Sequence, residues 1–274
     1  MLKNNAIILL SSFVLLAGCG KKNDSNPLIV NGQVSTVKRL PGMLSLDFGD
    51  GKCTGTLLEN TNGTPGEVTV ILTAAHCVVS FLGKGNHEQI YPAESQYLVY
   101  SRETDSSLGR KSAEIRKVVI PARFAKKVNG DAHQAVRITE LDVALIVVKN
   151  LEAGMKGARI DYENRVVPGE FSILAGYGCD NRKFKDGSGI LRESTVRVSS
   201  VQSSKIVIEK GSNPVQGQIC SGDSGGAMYS PNNALLIRGI NSSGSDSYSN
   251  ITPVHRESEA GKWLLTTYPL VTAF

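Results

Sequence analysis

Short runs of Val, Ile and Leu, each ended after a few residues by Gly, Asn, Asp or Ser, recur along the chain and constrain its fold more than any other feature. Val68 to Leu72 and Val143 to Val148 are two of them. Runs of this length bounded by turn formers read as strands. The 28 glycines among 274 residues supply the tight turns that many short strands need. An all-β fold is expected. One helix is expected near the carboxyl end, where Arg256 to Thr267 carries Glu257, Glu259 and Lys262 around Trp263, Leu264 and Leu265. No internal repeat, coiled coil or low-complexity tract is visible.

Cys220-Ser221-Gly222-Asp223-Ser224-Gly225-Gly226 sets a serine among glycines. Their conformational freedom lets the backbone turn sharply and present the hydroxyl. In such a turn the amides of Gly222 and Ser224 can point at one spot, where a tetrahedral intermediate places its negative oxygen. Preorganised donors there are worth roughly 2.7–4 kcal/mol each. A serine nucleophile needs a base, and the base needs an orienting group. Thr73-Ala74-Ala75-His76-Cys77, at the end of an apolar run, offers His76. Asp142 opens another apolar run, so its carboxylate is expected to be buried against a specific partner. His76, Asp142 and Ser224 are then base, orienter and nucleophile, in the chain order His, Asp, Ser. His87, His133 and His255 lack such company and read as surface or packing residues.

These residues make the chain resemble the trypsin-like (chymotrypsin-fold, S1) serine endopeptidases. The resemblance runs through Ile29-Val30-Asn31-Gly32, Pro41 to Leu46, Cys53 to Leu58, Thr73 to Cys77 and Val118 to Phe124. It continues through Gly176-Tyr177-Gly178, the Ser224 segment, Gly239 to Gly244 and Trp263-Leu264. It implies two six-stranded antiparallel Greek-key β-barrels and a C-terminal α-helix, with His76 and Asp142 on the first barrel, Ser224 on the second and the site in the crevice between. It implies hydrolysis of protein or peptide substrates through an acyl-enzyme on Ser224, by a monomer without metal or cofactor. In this family a freed amine at the Ile of Ile-Val-x-Gly pairs with the Asp before the nucleophile and sets the anion hole. The matching residues are Ile29 and Asp223. Members that select Arg or Lys carry an Asp six residues before the nucleophile; Gln218 stands there and lacks the charge. Ser242, Ser243 and Gly244 match the wall of the primary pocket, with Ser243 where many relatives carry Trp. The alternative is a catalytically idle relative that binds a partner through the same scaffold.

The amino terminus indicates a destination. Lys3, the apolar run Ala6 to Ala17 and then Leu16-Ala17-Gly18-Cys19 read as an export leader with its cleavage point. The run is shorter than the roughly 18 residues a membrane helix needs. Its ending resembles the bacterial lipobox, which implies lipidation of Cys19; Gly20 in place of a retention Asp favours the outer membrane, facing the periplasm. Residues 1–18 are thus read as signal peptide, 19–28 as linker or propeptide and 29–274 as the protease domain, about 245 residues that suit one two-barrel unit. The bond after Leu28 has no Lys or Arg beside it, so a different protease is expected to cut there, releasing the domain from its lipid into the medium.

Five cysteines less Cys19 leave Cys53, Cys77, Cys179 and Cys220, an even number suited to an oxidising compartment and open to three pairings. The family pattern joins Cys53 to Cys77. That leaves Cys179 with Cys220, a departure from relatives whose cysteine before the nucleophile bonds to one downstream. A zinc site of these cysteines with His76 matches no ligand spacing. The net charge of +5 includes Lys3, Lys21, Lys22 and Asp24 before residue 29. The remaining charge, about +3, is interspersed, and Arg116, Lys117, Arg123, Lys126 and Lys127 read as solvated surface. No nucleic-acid partner is expected.

Overall fold

The computed structural model describes residues 29–30, 32–49, 51–59, 69–129, 131, 140–152, 154–181, 187–211 and 216–272. The leader, Cys19, the 19–28 segment, Asn31 and His133 lie outside them.

The first half contains β1 (Gln33–Val34), β2 (Met43–Asp47), β3 (Lys52–Leu57), β4 (Thr69–Thr73), β5 (Glu88–Ile90), β6 (Tyr97–Ser101), β7 (Lys111–Val119) and β8 (Ala144–Lys149). The second contains β9 (Arg159–Ile160), β10 (Phe171–Gly176), β11 (Arg192–Arg197), β12 (Ser200–Val201), β13 (Ile206–Glu209), β14 (Ala227–Ser230), β15 (Asn233–Gly244) and β16 (Tyr248–Pro253). Strands β7-β6-β2-β3-β4-β8 pair in that order and β8 returns to β7, which closes a six-stranded antiparallel barrel. Strand β5 pairs with β7, outside this ring. The second sheet runs β11-β10-β14-β15-β16-β13-β12, with β1 beyond β11. Its two ends are consecutive pieces of one bent strand. At the bend the Val198 amide bonds the Glu170 carbonyl at 2.8 Å, while the next amide, Ser199, bonds Val207 at 2.9 Å on the other side. The chain thus hands itself from β10 to β13 and completes a second ring.

Counted along the chain, the six strands of each ring meet in the same spatial order, 1-2-3-6-5-4. The all-β, two-barrel expectation therefore holds. The repeat exists only in the topology, since the sequence shows none.

Each ring closes on apolar side chains. Leu44, Leu46, Ile71, Leu98, Ile115 and Ile146 are fully buried in the first. Ile29, Leu174, Ile206, Ile208, Met228 and Ile251 are fully buried in the second. Burial of each such side chain contributes roughly 1.5–3 kcal/mol. Strand β8 is buried on both faces from Ala144 to Val148, which explains its unbroken apolar run.

Among the described residues there are two α-helices, one more than the sequence reading expects. Helix α1 (Ala122–Val128) follows Pro121 and stops at Asn129, in the left-handed region at φ 47°. Its seven residues are too few to show helical periodicity in the sequence. Helix α2 (Glu259–Thr272) begins three residues later than Arg256, because the Ser258 hydroxyl accepts the Gly261 amide at 2.9 Å and acts as its N-cap. It also runs past Thr267, carrying Pro269. It packs Ala260, Leu264 and Val271 into the larger apolar core, against β4, β8 and β16, and Tyr268 donates to the Glu59 carbonyl at 2.7 Å.

Four of the five expected surface cations have acidic partners: Arg116 with Glu114, Lys117 with Glu88, Arg123 with Glu259 and Lys127 with Glu140. The patch is charge-balanced rather than a basic stripe.

Candidate active site

Strand β4 ends at Thr73, and Ala75–Cys77 make a single 3-10 turn with His76 in the middle. Ala74 and Ala75 are fully buried, so the turn can sink against the barrel. The Cys53–Cys77 disulfide fastens it to β3. The opposing acid is delivered by a kink. Leu141 has φ 56°, a conformation costly for a residue with a side chain, and the Val143 amide closes on the Leu141 carbonyl at 2.8 Å.

Within that kink Asp142 is fully buried and collects three donors. Its Oδ1 accepts the His76 amide at 2.9 Å, and its Oδ2 lies 2.7 Å from His76 Nδ1. The Ser242 hydroxyl, arriving on β15, donates to Oδ2 at 2.6 Å. A carboxylate held this way is a fixed anion, and it requires Nδ1 to carry the imidazole proton. Nε2 is left as the basic nitrogen. Burial alone would lower the His76 pKa, but the Asp142 charge and its hydrogen bond outweigh it, and the net shift is upward from 6.5.

The Ser224 turn comes from the second barrel and rests on the first. The Ser224 carbonyl accepts the Thr54 amide at 2.8 Å and lies 3.8 Å from the Cys77 sulfur. Gly225, at φ 81°, is pressed so closely that a Cβ would overlap the Thr73 hydroxyl and the Thr54 carbonyl. Within the turn the Asp223, Gly225 and Gly226 amides bond to carbonyls at 3.0, 2.8 and 3.0 Å. The amides of Gly222 and Ser224 donate to no acceptor among the described residues.

Asp223 is fully buried beneath this turn. Its carboxylate accepts the Gly178 amide at 2.7 Å and the Cys220 amide at 2.8 Å. Gly178 is caught between two charges, because its carbonyl accepts Arg192 Nη1 at 3.0 Å. Burial pulls Arg192 below its ordinary pKa, against the opposing pull of Asp180 and Asp223. A Cβ on Gly178 would overlap the Asp223 carboxylate. The Cys179–Cys220 disulfide joins this segment to the Ser224 turn. With both pairs oxidised, the cluster of Cys53, Cys77 and His76 has no thiolate to offer a metal.

The remaining expected positions surround this centre. The Ile29 side chain is buried in the second barrel's core, and the Gln218 amide bonds the Val30 carbonyl at 2.9 Å. The Gln218 side chain is itself buried, with its Oε1 3.4 Å from the Ser249 hydroxyl. Ser243 accepts Asn250 Nδ2 at 3.0 Å, and Gly244 pairs with Ser249 between β15 and β16. His87 is exposed and His255 is buried at the approach to α2. From the sequence, Ser242 reads only as pocket wall and Thr54 has no role. Their partners lie 100 and 168 positions away, so no local signal marks them.

The Trypsin family model matches residues 29–263 of the chain. A solved structure of a Glu endopeptidase in complex with MPD is similar in fold at a TM-score of 0.57 and 17% identity, covering 87% of this chain and 96% of that one. No curated protein sequence matches.

Proposed function

The chain belongs to the trypsin family, and from that premise we propose that it is an exported serine endopeptidase working through His76, Asp142 and Ser224. The observation that carries this reading is the buried His76–Asp142 pair, 2.7 Å apart, beside a Gly-Asp-Ser-Gly turn. Nε2 of His76 takes the Ser224 proton as Oγ attacks a peptide carbonyl of a protein or peptide substrate. The tetrahedral oxyanion is received by the Gly222 and Ser224 amides. Collapse passes the proton from His76 to the departing amine and leaves an acyl-Ser224 ester. Water, activated by the same imidazole, then releases the acid.

A fluorophosphonate probe tests both the nucleophile and the base. It should attach to Ser224, located by peptide mapping, and the labelling rate should fall as pH drops through a value above 6.5. The sign follows from His76: its raised pKa means that the neutral, proton-accepting imidazole disappears at a higher pH than for a free histidine. A pH-independent rate would remove His76 from this role. Absence of labelling in processed protein would favour the binding-protein alternative.

Activation belongs to the same proposal. The precursor is anchored by lipid on Cys19, and another protease cuts after Leu28, freeing the Ile29 amine to pair with Asp223 and releasing residues 29–274, the protease domain. Ile29 has φ 45°, which a β-branched residue adopts only at a cost of roughly 1–3 kcal/mol. Cleavage abolishes that dihedral and its cost, and a buried ammonium balances a buried carboxylate. Mass analysis of active protein should find Ile29 at the amino terminus; active protein beginning at Cys19 would refute both anchor release and amine insertion.

A further inference from the structure

We propose that Thr54 is a positioning residue for the anion hole, holding the Gly222 amide in its working direction from across the barrel interface. The proposal rests on the endopeptidase reading above. Thr54 lies on β3 of the first barrel and is fully buried. Its hydroxyl donates to the Gly222 carbonyl at 2.7 Å and accepts the Tyr177 amide at 3.0 Å. Its own amide donates to the Ser224 carbonyl at 2.8 Å. One first-barrel residue thus grips the carbonyls of both residues whose amides are to receive the oxyanion.

The direction of the hydroxyl is fixed by its neighbours. An amide has only a proton to give, so the Tyr177 N–H must donate to Oγ1, and the hydroxyl proton is then turned to the Gly222 carbonyl. That carbonyl needs fixing. Gly222 sits at φ 96°, and a glycine has the widest choice of backbone conformations, including those that point its amide away from the substrate. Pinning its carbonyl restricts ψ, and the Asp223 amide, bonded to the Cys220 carbonyl at 3.0 Å, holds the other end of the same peptide. The Gly222 N–H belongs to the preceding peptide, whose Ser221 carbonyl accepts the Cys179 amide at 2.9 Å; with the peptides on both sides of its Cα held, the Gly222 amide is set before substrate arrives, the condition under which such a donor lowers the barrier.

Thr54→Val removes the hydroxyl at nearly constant volume, whereas Thr54→Ser keeps it. With a fluorogenic peptide, and rates normalised to folded protein, Thr54→Val should lower kcat roughly 10- to 100-fold while KM changes less than about twofold. Thr54→Ser should stay within about threefold of wild type. If Thr54→Val is not recovered folded, Thr54→Ala against Thr54→Ser makes the same comparison. Unchanged kcat in the variant without a hydroxyl overturns the assignment. So does a Thr54→Ser loss as large as that of Thr54→Val, because the methyl would then be the part that matters. Wild type that leaves Ser224 unlabelled overturns the endopeptidase reading with it; an active wild type and an indifferent Thr54→Val overturn the Thr54 assignment alone.

Discussion

Ser224→Ala is expected to fold with an unchanged melting temperature and to hydrolyse peptides on the order of 10⁶-fold more slowly than wild type. The two halves of that result have separate origins. The bonds that seat the turn use backbone atoms: the Ser224 carbonyl on the Thr54 amide, the Gly225 amide on the Asn241 carbonyl and the Gly226 amide on the Asp223 carbonyl. Alanine keeps all of them. The hydroxyl supplies the bond-forming oxygen, and without it the Gly222 and Ser224 amides stabilise only the residual attack of water. Turnover and thermal unfolding of the purified variant measure both halves. Hydrolysis within tenfold of wild type would mean that the nucleophile lies elsewhere.

Asp142→Asn should lower kcat by about 10⁴ and move the acid limb of the pH–rate profile downward. The carboxylate takes three hydrogen bonds, from the His76 amide, His76 Nδ1 and the Ser242 hydroxyl. A carboxamide has one acceptor oxygen. If its NH₂ faces His76 Nδ1, the imidazole must carry its proton on Nε2, and the nitrogen needed as base is blocked. If it is turned round, it meets the His76 amide, donor against donor. Either arrangement leaves a buried group unsatisfied, so stability should also fall by roughly 1–3 kcal/mol. The acid limb moves down because the charge and hydrogen bond that raise the His76 pKa come from Asp142, while burial, which lowers it, stays. A variant with wild-type kcat and an unmoved limb would remove Asp142 from the mechanism.

The groups judged from their immediate neighbours were legible in the sequence. Asp142 at the head of an apolar run signalled a buried, partnered acid, and Gly on either side of Asp223-Ser224 signalled a tight turn. The Ser242–Asp142 and Thr54–Gly222 bonds were not legible. Each joins one hydroxyl to an atom that only barrel closure brings near, and strand pairing leaves no periodic trace of such distant contacts. The family resemblance places Ser242 with Ser243 and Gly244 in the pocket wall; the Ser242 side chain turns to Asp142. Likewise the second ring depends on Val198 and Ser199 bonding to opposite sides, a division that residue types do not encode.

The shared strand order of the two rings has a kinetic meaning. His76 stands in the connection between the third and fourth strands of its ring, and Ser224 in the same connection of the other. In the mechanism proposed above, two equivalent turns on separate bodies thus hold the base and the nucleophile. What the seam between the barrels controls is their effective concentration, which for well-oriented groups reaches about 10⁵–10⁸ M and drops on the order of 100-fold for a misplacement of about 1 Å. Looseness in the docking of the halves would appear as dilution of a base from its nucleophile, in a molecule whose separate barrels remain fully folded.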